Sequence, residues 1–270
     1  MRSFFVLCLL VLAVPTRADV EQHRVPSAAF DAERTVRVWT PPDNVEPVGV
    51  LFMHDAQNLF DPKSASFGVA WEVDEAMARL VGDGTVPPLL VVGIDHGGKQ
   101  RIAELTHEPD PSFNGGGRGE TYATFVLDEL VPWVEATFDV TCDPATTYIG
   151  GSSLGGLMSL QLAHDHPGRF AGVIAMSPSL WWNDTALLDA IAADASAFEG
   201  VRVWLDVGTK EGRGVEVHIA NLRRLAGVLE AAGVAYEVMI DADHPNHNEA
   251  AWAARFPAAV TFVTDDDAAR

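Results

Sequence analysis

Ser153 stands between Gly151 and Gly155 in the run Gly151-Ser152-Ser153-Leu154-Gly155-Gly156. A β-like run, Thr146-Thr147-Tyr148-Ile149, precedes it, and a helix-like run, Leu157 to His164, follows. Strand, sharp glycine-rich turn with a central serine, then helix is the layout of a nucleophile elbow. The turn holds the serine backbone in a strained conformation, and small neighbours are needed because strand and helix pass close together. The flanking glycines single out Ser153 rather than Ser152. A serine hydroxyl attacks poorly at neutral pH because its proton must leave as it attacks. A histidine takes that proton, and a carboxylate orients the histidine and stabilises its cation.

In a fold of this kind the partners follow the nucleophile in the order acid, then base. The stretch Val203-Trp204-Leu205-Asp206-Val207-Gly208-Thr209-Lys210-Glu211 offers two carboxylates. Asp206 lies inside a strand pattern and Glu211 beyond its end. Catalytic groups of α/β sheets collect past the carboxyl ends of strands, which favours Glu211 over Asp206. The later stretch Asp241-Ala242-Asp243-His244-Pro245-Asn246-His247-Asn248-Glu249 carries two histidines. His244 precedes a proline and is biased to extended backbone. His247 directly precedes a helix start and is the favoured base. A metal site on this loop is disfavoured, because no third cluster of ligands accompanies it. An oxyanion hole needs two main-chain donors. One is expected from Leu154, the residue after the nucleophile. The other is expected from Gln57 or Ala56, in the loop His54-Asp55-Ala56-Gln57-Asn58 that follows a strand. Trp181 and Trp182 follow another strand and are candidates for the apolar wall of a substrate pocket. His96, His107, His164 and His166 are scattered and are read as structural.

These groups need a frame. Arg34 to Thr40 alternates as a half-buried strand should. Val48 to Met53 and Leu89 to Ile94 are continuous apolar runs, as in strands buried on both faces of a parallel sheet. Thr146 to Gly150, Ala171 to Met176, Val201 to Val207 and Ala235 to Ile240 continue the series. Helical periodicity falls at Trp71 to Val81, Glu120 to Phe138, Leu154 to His166, Val215 to Ala232 and Asn248 to Phe256. Pro132 should kink the second of these. The stretch around Gly115-Gly116-Gly117, with Pro109 and Pro111 before it, reads as a loop. The alternation predicts an α/β fold: a mostly parallel, doubly wound sheet with helices on both faces, in one domain over residues 19–270.

The formal charge of −20 disfavours a nucleic-acid partner. Arg2, the apolar run Phe4 to Val14 and the small residues around Thr16-Arg17-Ala18 form a signal-peptide pattern over residues 1–18, removed before Asp19. That pattern predicts export to the periplasm or beyond the cell. No later run is apolar and long enough to insert in a membrane. Cys8 would leave with the leader, and Cys142 would remain as an unpaired, inert thiol.

Five segments taken together resemble the putative-esterase family of α/β-hydrolases, which includes enterochelin-esterase-like and feruloyl-esterase-like enzymes and the mycolyl transferases. They are His54-Asp55-Ala56-Gln57-Asn58-Leu59-Phe60-Asp61, Gly150-Gly151-Ser152-Ser153-Leu154-Gly155-Gly156, Ser177-Pro178-Ser179-Leu180-Trp181-Trp182, Asp206-Val207-Gly208-Thr209-Lys210-Glu211 and His247-Asn248-Glu249-Ala250-Ala251-Trp252. The similarity runs from about Thr35 to Phe256, with the motifs in the family's order. It implies the α/β-hydrolase fold, Ser153 as nucleophile, Glu211 as acid, His247 as base, and Leu154 and Gln57 as oxyanion donors. Two positions depart from the family's pattern. Ala56 stands where glycine is common, which is compatible only with a negative φ. The loop Asp243 to His247 replaces a Gly-Gly pair before the base. The expected activity is hydrolysis of a small-molecule or glycan carboxylic ester, without metal or organic cofactor. An acyltransferase would use the same three residues, and a non-catalytic binding protein could share the frame.

Overall fold

The computed structural model describes residues 20–42 and 45–265; the leader-like segment and the end of the acidic tail lie outside the described residues. The strands are β1 (Val20–Ser27), β2 (Ala32–Trp39), β3 (Gly49–His54), β4 (Leu89–Ile94), β5 (Pro109–Asp110), β6 (Gly115–Gly116), β7 (Thr147–Ser152), β8 (Gly172–Met176), β9 (Arg202–Gly208) and β10 (Ala235–Asp241). Eight of them form one sheet in the order β1-β2-β4-β3-β7-β8-β9-β10. β2 runs antiparallel to both its neighbours, and from β4 to β10 every pairing is parallel. β5 and β6 pair only with each other, so the glycine-rich loop holds a minimal ribbon.

The helices are α1 (Val73–Gly82), α2 (Arg101–Glu104), α3 (Gly119–Thr124), α4 (Val131–Phe138), α5 (Leu154–Asp165), α6 (Ala186–Ala193), α7 (Val215–Ala231) and α8 (Glu249–Val263). Alternation along the central strands assigns them to two layers. Val50 and Phe52 of β3, Leu90 and Val92 of β4 and Val203 and Leu205 of β9 join the core under α3 to α7. Leu51 and Met53, Leu89 and Val91, and Trp204 join the opposite core, under α1 and α8. Strands apolar on both faces therefore carry helices on both faces, and the fold is the α/β-hydrolase type.

Two helices differ from their sequence pattern, and both differences involve proline. Between α3 and α4 the chain makes a wide π turn, Phe125–Leu130, directly before Pro132 at the start of α4. The pyrrolidine ring crowds the turn that precedes it, and that turn widens instead of breaking. α8 continues past Phe256 through Pro257 to Val263, because Ala259, Val260 and Val263 are buried against the sheet. Tertiary burial outweighs the roughly 3 kcal/mol that an interior proline costs a helix. Cys142 is a half-buried free thiol, and burial pushes its pKa up to about 12, far from a reactive thiolate.

Strand order reverses at β3, with β4 on one side and β7 on the other. Crevices of open α/β sheets form beyond the carboxyl ends of strands at such a switch point. The turns that leave β3 and β7 begin at Asp55 and Ser153.

Candidate active site

Ser153 links β7 to α5 with φ 57° and ψ −119°. An L-residue held there stores on the order of 1–3 kcal/mol of strain, so its surroundings must fix it. Its N–H donates to Met176 O at 2.9 Å, and its carbonyl accepts from Leu157 N at 3.0 Å and Ser179 N at 3.1 Å. Strand, helix and the end of β3 converge here. A Cβ on Gly151 would lie 3.0 Å from the Gly155 carbonyl carbon, and one on Gly155 would lie 3.1 Å from His54 Cβ. The Ser153 hydroxyl lies 3.4 Å from Ser179 Oγ.

Glu211 sits past β9 and receives His247 Nδ1 on Oε2 at 2.9 Å. Its other oxygen accepts Gly208 N at 2.6 Å and Ser177 Oγ at 2.6 Å. Burial alone would raise this carboxyl. Hydrogen bonds from His247, Ser177 and Gly208 outweigh burial and hold its pKa below the usual range, so Glu211 is an anion at neutral pH. Ser177 Oγ in turn accepts Trp252 Nε1 at 3.0 Å and Arg255 Nη2 at 3.2 Å. The ring of His247 meets Trp252 edge-on at 4.9 Å.

The alternatives occupy other places. Asp206 is fully buried on β9 and accepts Trp204 Nε1 at 2.8 Å and Ser177 N at 3.1 Å, with Arg255 Nη1 at 3.3 Å. Burial pushes it up to about 6 against the pull of Arg255 and these donors. His244 faces Asp241 at 3.2 Å, not Glu211. Ser177, Trp252 and Arg255 went unremarked as site residues in the sequence. Arg255 had a signal: it is a charge at a helical spacing shared with Trp252, Ala259 and Val263, all buried.

The turn after β3 starts at Asp55, in the left-handed region with φ 58°, and continues as a tight helical turn, Ala56–Asn58. Ala56 is not among the positive-φ residues, so its methyl is compatible with the backbone there, and Asp55 takes the unusual conformation instead. Room for that methyl comes from Gly93 on β4, where a Cβ would lie 2.7 Å from Ala56 Cβ. Arg101 holds Asp55 with two hydrogen bonds of 2.7 Å. Burial would raise the Asp55 pKa, and the guanidinium outweighs it and lowers it. The amides of Gln57 and Leu154 both lie in first turns of their helices, where no intrahelical acceptor is available.

Ser153, His247, Gln57 and Trp252 line one cleft of about 630 Å³, together with Arg101 and Glu249. Phe67 and Val69 form an apolar rim, 80% and 43% exposed. Trp181 and Trp182 are not among the lining residues. Trp182 is buried with its indole N–H on Glu108 O at 2.8 Å, whereas half-buried Trp181 packs on Phe113 and stacks on His218. Of the histidines read as structural, His107 and His164 flank Asp165, but His96 lines the cleft. His54 is buried below the elbow, its Nδ1 2.7 Å from Tyr122 OH, and burial lowers its pKa to about 4. Among the described residues no group of three His, Cys, Asp or Glu side chains is placed to hold a metal ion.

A family model described as "Putative esterase" matches residues 27–263. The chain belongs to this esterase family. Protein YbbA of Bacillus subtilis (strain 168) is 29% identical over 205 residues, 73% of this chain and 74% of YbbA. The iron(III) salmochelin esterase of Escherichia coli O6:H1 is 27% identical over 71% of this chain, and the match spans only 46% of that longer protein. Among solved structures, the BES protein from Bacillus cereus superposes with a TM-score of 0.76 at 19% identity, over 97% of this chain and all of that one. At that identity the likeness concerns the fold. Among the described residues no helix is long and apolar enough to cross a membrane.

Proposed function

We propose that this protein is a serine hydrolase of carboxylic esters that works through an acyl-enzyme. The observation that carries the reading is a strained Ser153 in the same cleft as a His247–Glu211 pair at 2.9 Å. Ser153 Oγ attacks the ester carbonyl while His247 takes its proton. The alkoxide-like oxygen that develops is met by the amides of Leu154 and Gln57. His247 then delivers the proton to the leaving alcohol, and water, activated by the same imidazole, clears the acyl group. Glu211 holds His247 Nδ1 and balances the transient imidazolium.

The substrate class is a small-molecule or glycan ester. Similarity to a salmochelin esterase supports a siderophore-type ester among the small molecules. The leader-like first 18 residues support export. The test is labelling of the purified protein by a fluorophosphonate, with peptide mapping, beside hydrolysis of p-nitrophenyl acetate. Modification at Ser153 and loss of both signals in Ser153→Ala are expected. Full turnover in Ser153→Ala, or labelling at another residue, would overturn the assignment.

A further inference from the structure

Asn58 closes the turn that carries Gln57, a residue lining the cleft, and its polar groups go to different parts of the site. Its N–H donates to Asp55 O at 2.9 Å, and its carbonyl accepts Trp71 N at 2.9 Å. Its side-chain carbonyl accepts Ser66 N at 2.8 Å, from the loop that carries Phe67. Its side-chain amide donates to Glu249 Oε1 at 3.3 Å, 191 positions away in the chain. Glu249 is the first residue of α8, two after His247, and it is only 4% exposed. A carboxyl buried that far needs a donor. Burial raises its pKa, with Asp55, Arg101 and His247 as its charged neighbours.

We propose that Asn58 is a positioning residue for the reaction assigned above. Through Glu249 it fixes the oxyanion turn against the start of α8, and so against His247. The reading rests on the proposed hydrolase mechanism. The physical need is clear from the topology. One oxyanion donor hangs on the end of β3, and the base hangs on the loop after β10 at the far side of the sheet. Both must address one carbonyl above Ser153. A misplacement of about 1 Å between such groups costs on the order of a hundredfold in rate. The Asn58–Glu249 bond joins the two turns directly, across the cleft both residues line.

The test uses the full chain with Asn58→Ala, Asn58→Asp, Glu249→Ala, Glu249→Gln and the double alanine variant. Turnover of p-nitrophenyl acetate is expressed per serine titrated to completion with a fluorophosphonate, and folding is followed by circular dichroism. Asn58→Ala, Asn58→Asp and Glu249→Ala are each expected to lower kcat by about tenfold or more, with KM within about twofold. Glu249→Gln is expected to stay within about threefold of the parent, because its amide oxygen still accepts from Asn58. The double variant should be no slower than the worse single one, since both remove one interaction. A parent-like kcat in Asn58→Asp, additive losses in the double variant, or a raised KM at unchanged kcat would overturn the proposal. If Asn58→Ala does not fold, the contrast between Glu249→Ala and Glu249→Gln decides on the same criterion. Hydrolysis that persists in Ser153→Ala would instead sink the mechanism beneath it.

Discussion

Glu211 and Asp206 are both buried carboxylates near Arg255, yet their partners give them different work. Glu211 spends one oxygen on Ser177 and Gly208 and leaves the other for His247. Asp206 is consumed by Trp204, the Ser177 amide and Arg255. The two substitutions should therefore separate. Glu211→Ala is expected to lower kcat by about 10³- to 10⁴-fold, since an unoriented histidine loses most of its value as a base. Asp206→Ala removes a partner of a fully buried guanidinium, so its main effect should be on stability, a loss of about 3 kcal/mol by urea unfolding. Turnover per titrated serine should fall far less than in Glu211→Ala. The reverse pattern would make Asp206 the acid. The place of Glu211 was legible because it depends on where a strand ends. The hydrogen-bonded support around it was not, because Ser177, Trp252 and Arg255 meet only after β8, β9 and α8 are assembled.

At the scale of elements, the strands buried on both faces were the most legible part. β3, β4, β7, β8 and β9 fall where continuous apolar runs predict them, within a residue or two. β1 was missed because exposed and buried residues mix along it, and α6 was missed because its eight residues, about two turns, are too short a run to establish a period. The end of α8 was misplaced because a local rule about proline met a buried face. Neither could sequence spacing show that β4 shapes the turn after β3. Gly93 on β4 gives up its side chain to make room for the Ala56 methyl. Gly93→Ala alone would drive two Cβ atoms to 2.7 Å, with Leu59 and Phe60 also close behind. The turn must shift, and kcat on a p-nitrophenyl ester is expected to fall by about a hundredfold. Adding Ala56→Gly to Gly93→Ala frees that space, so the double variant should recover at least about tenfold of the loss. A double variant as slow as Gly93→Ala would show that Leu59 and Phe60, rather than the Ala56 contact, set the cost.

At the scale of the whole molecule, the elbow packs over a buried histidine whose pKa is lowered by burial. His54 fills the space where β3, β7 and α5 converge, with its Cβ 3.2 Å from where a side chain on Gly151 would begin. Burial lowers its pKa from 6.5 to about 4. The unfolded chain therefore protonates this imidazole below about 6.5, while the native state resists until about 4. Between those values the unfolded state holds more protons, so stability falls as pH drops through the window and the effect levels off below it. His166 and His218 are lowered by burial too and act in the same sense. Asp206, raised to about 6 by burial, acts in the opposite sense, because the native state then holds the extra proton. A comparison of variants isolates the His54 share. From the size of its shift that share is about 3 kcal/mol. His54→Gln keeps a hydrogen-bonding group for Tyr122 and removes the titration. Urea midpoints at pH 7 and pH 4 should show the parent losing about 3 kcal/mol more than His54→Gln over that interval. Equal losses in the two proteins would mean that the acid sensitivity of the fold resides elsewhere and that His54 titrates in the native state as it does in the unfolded chain.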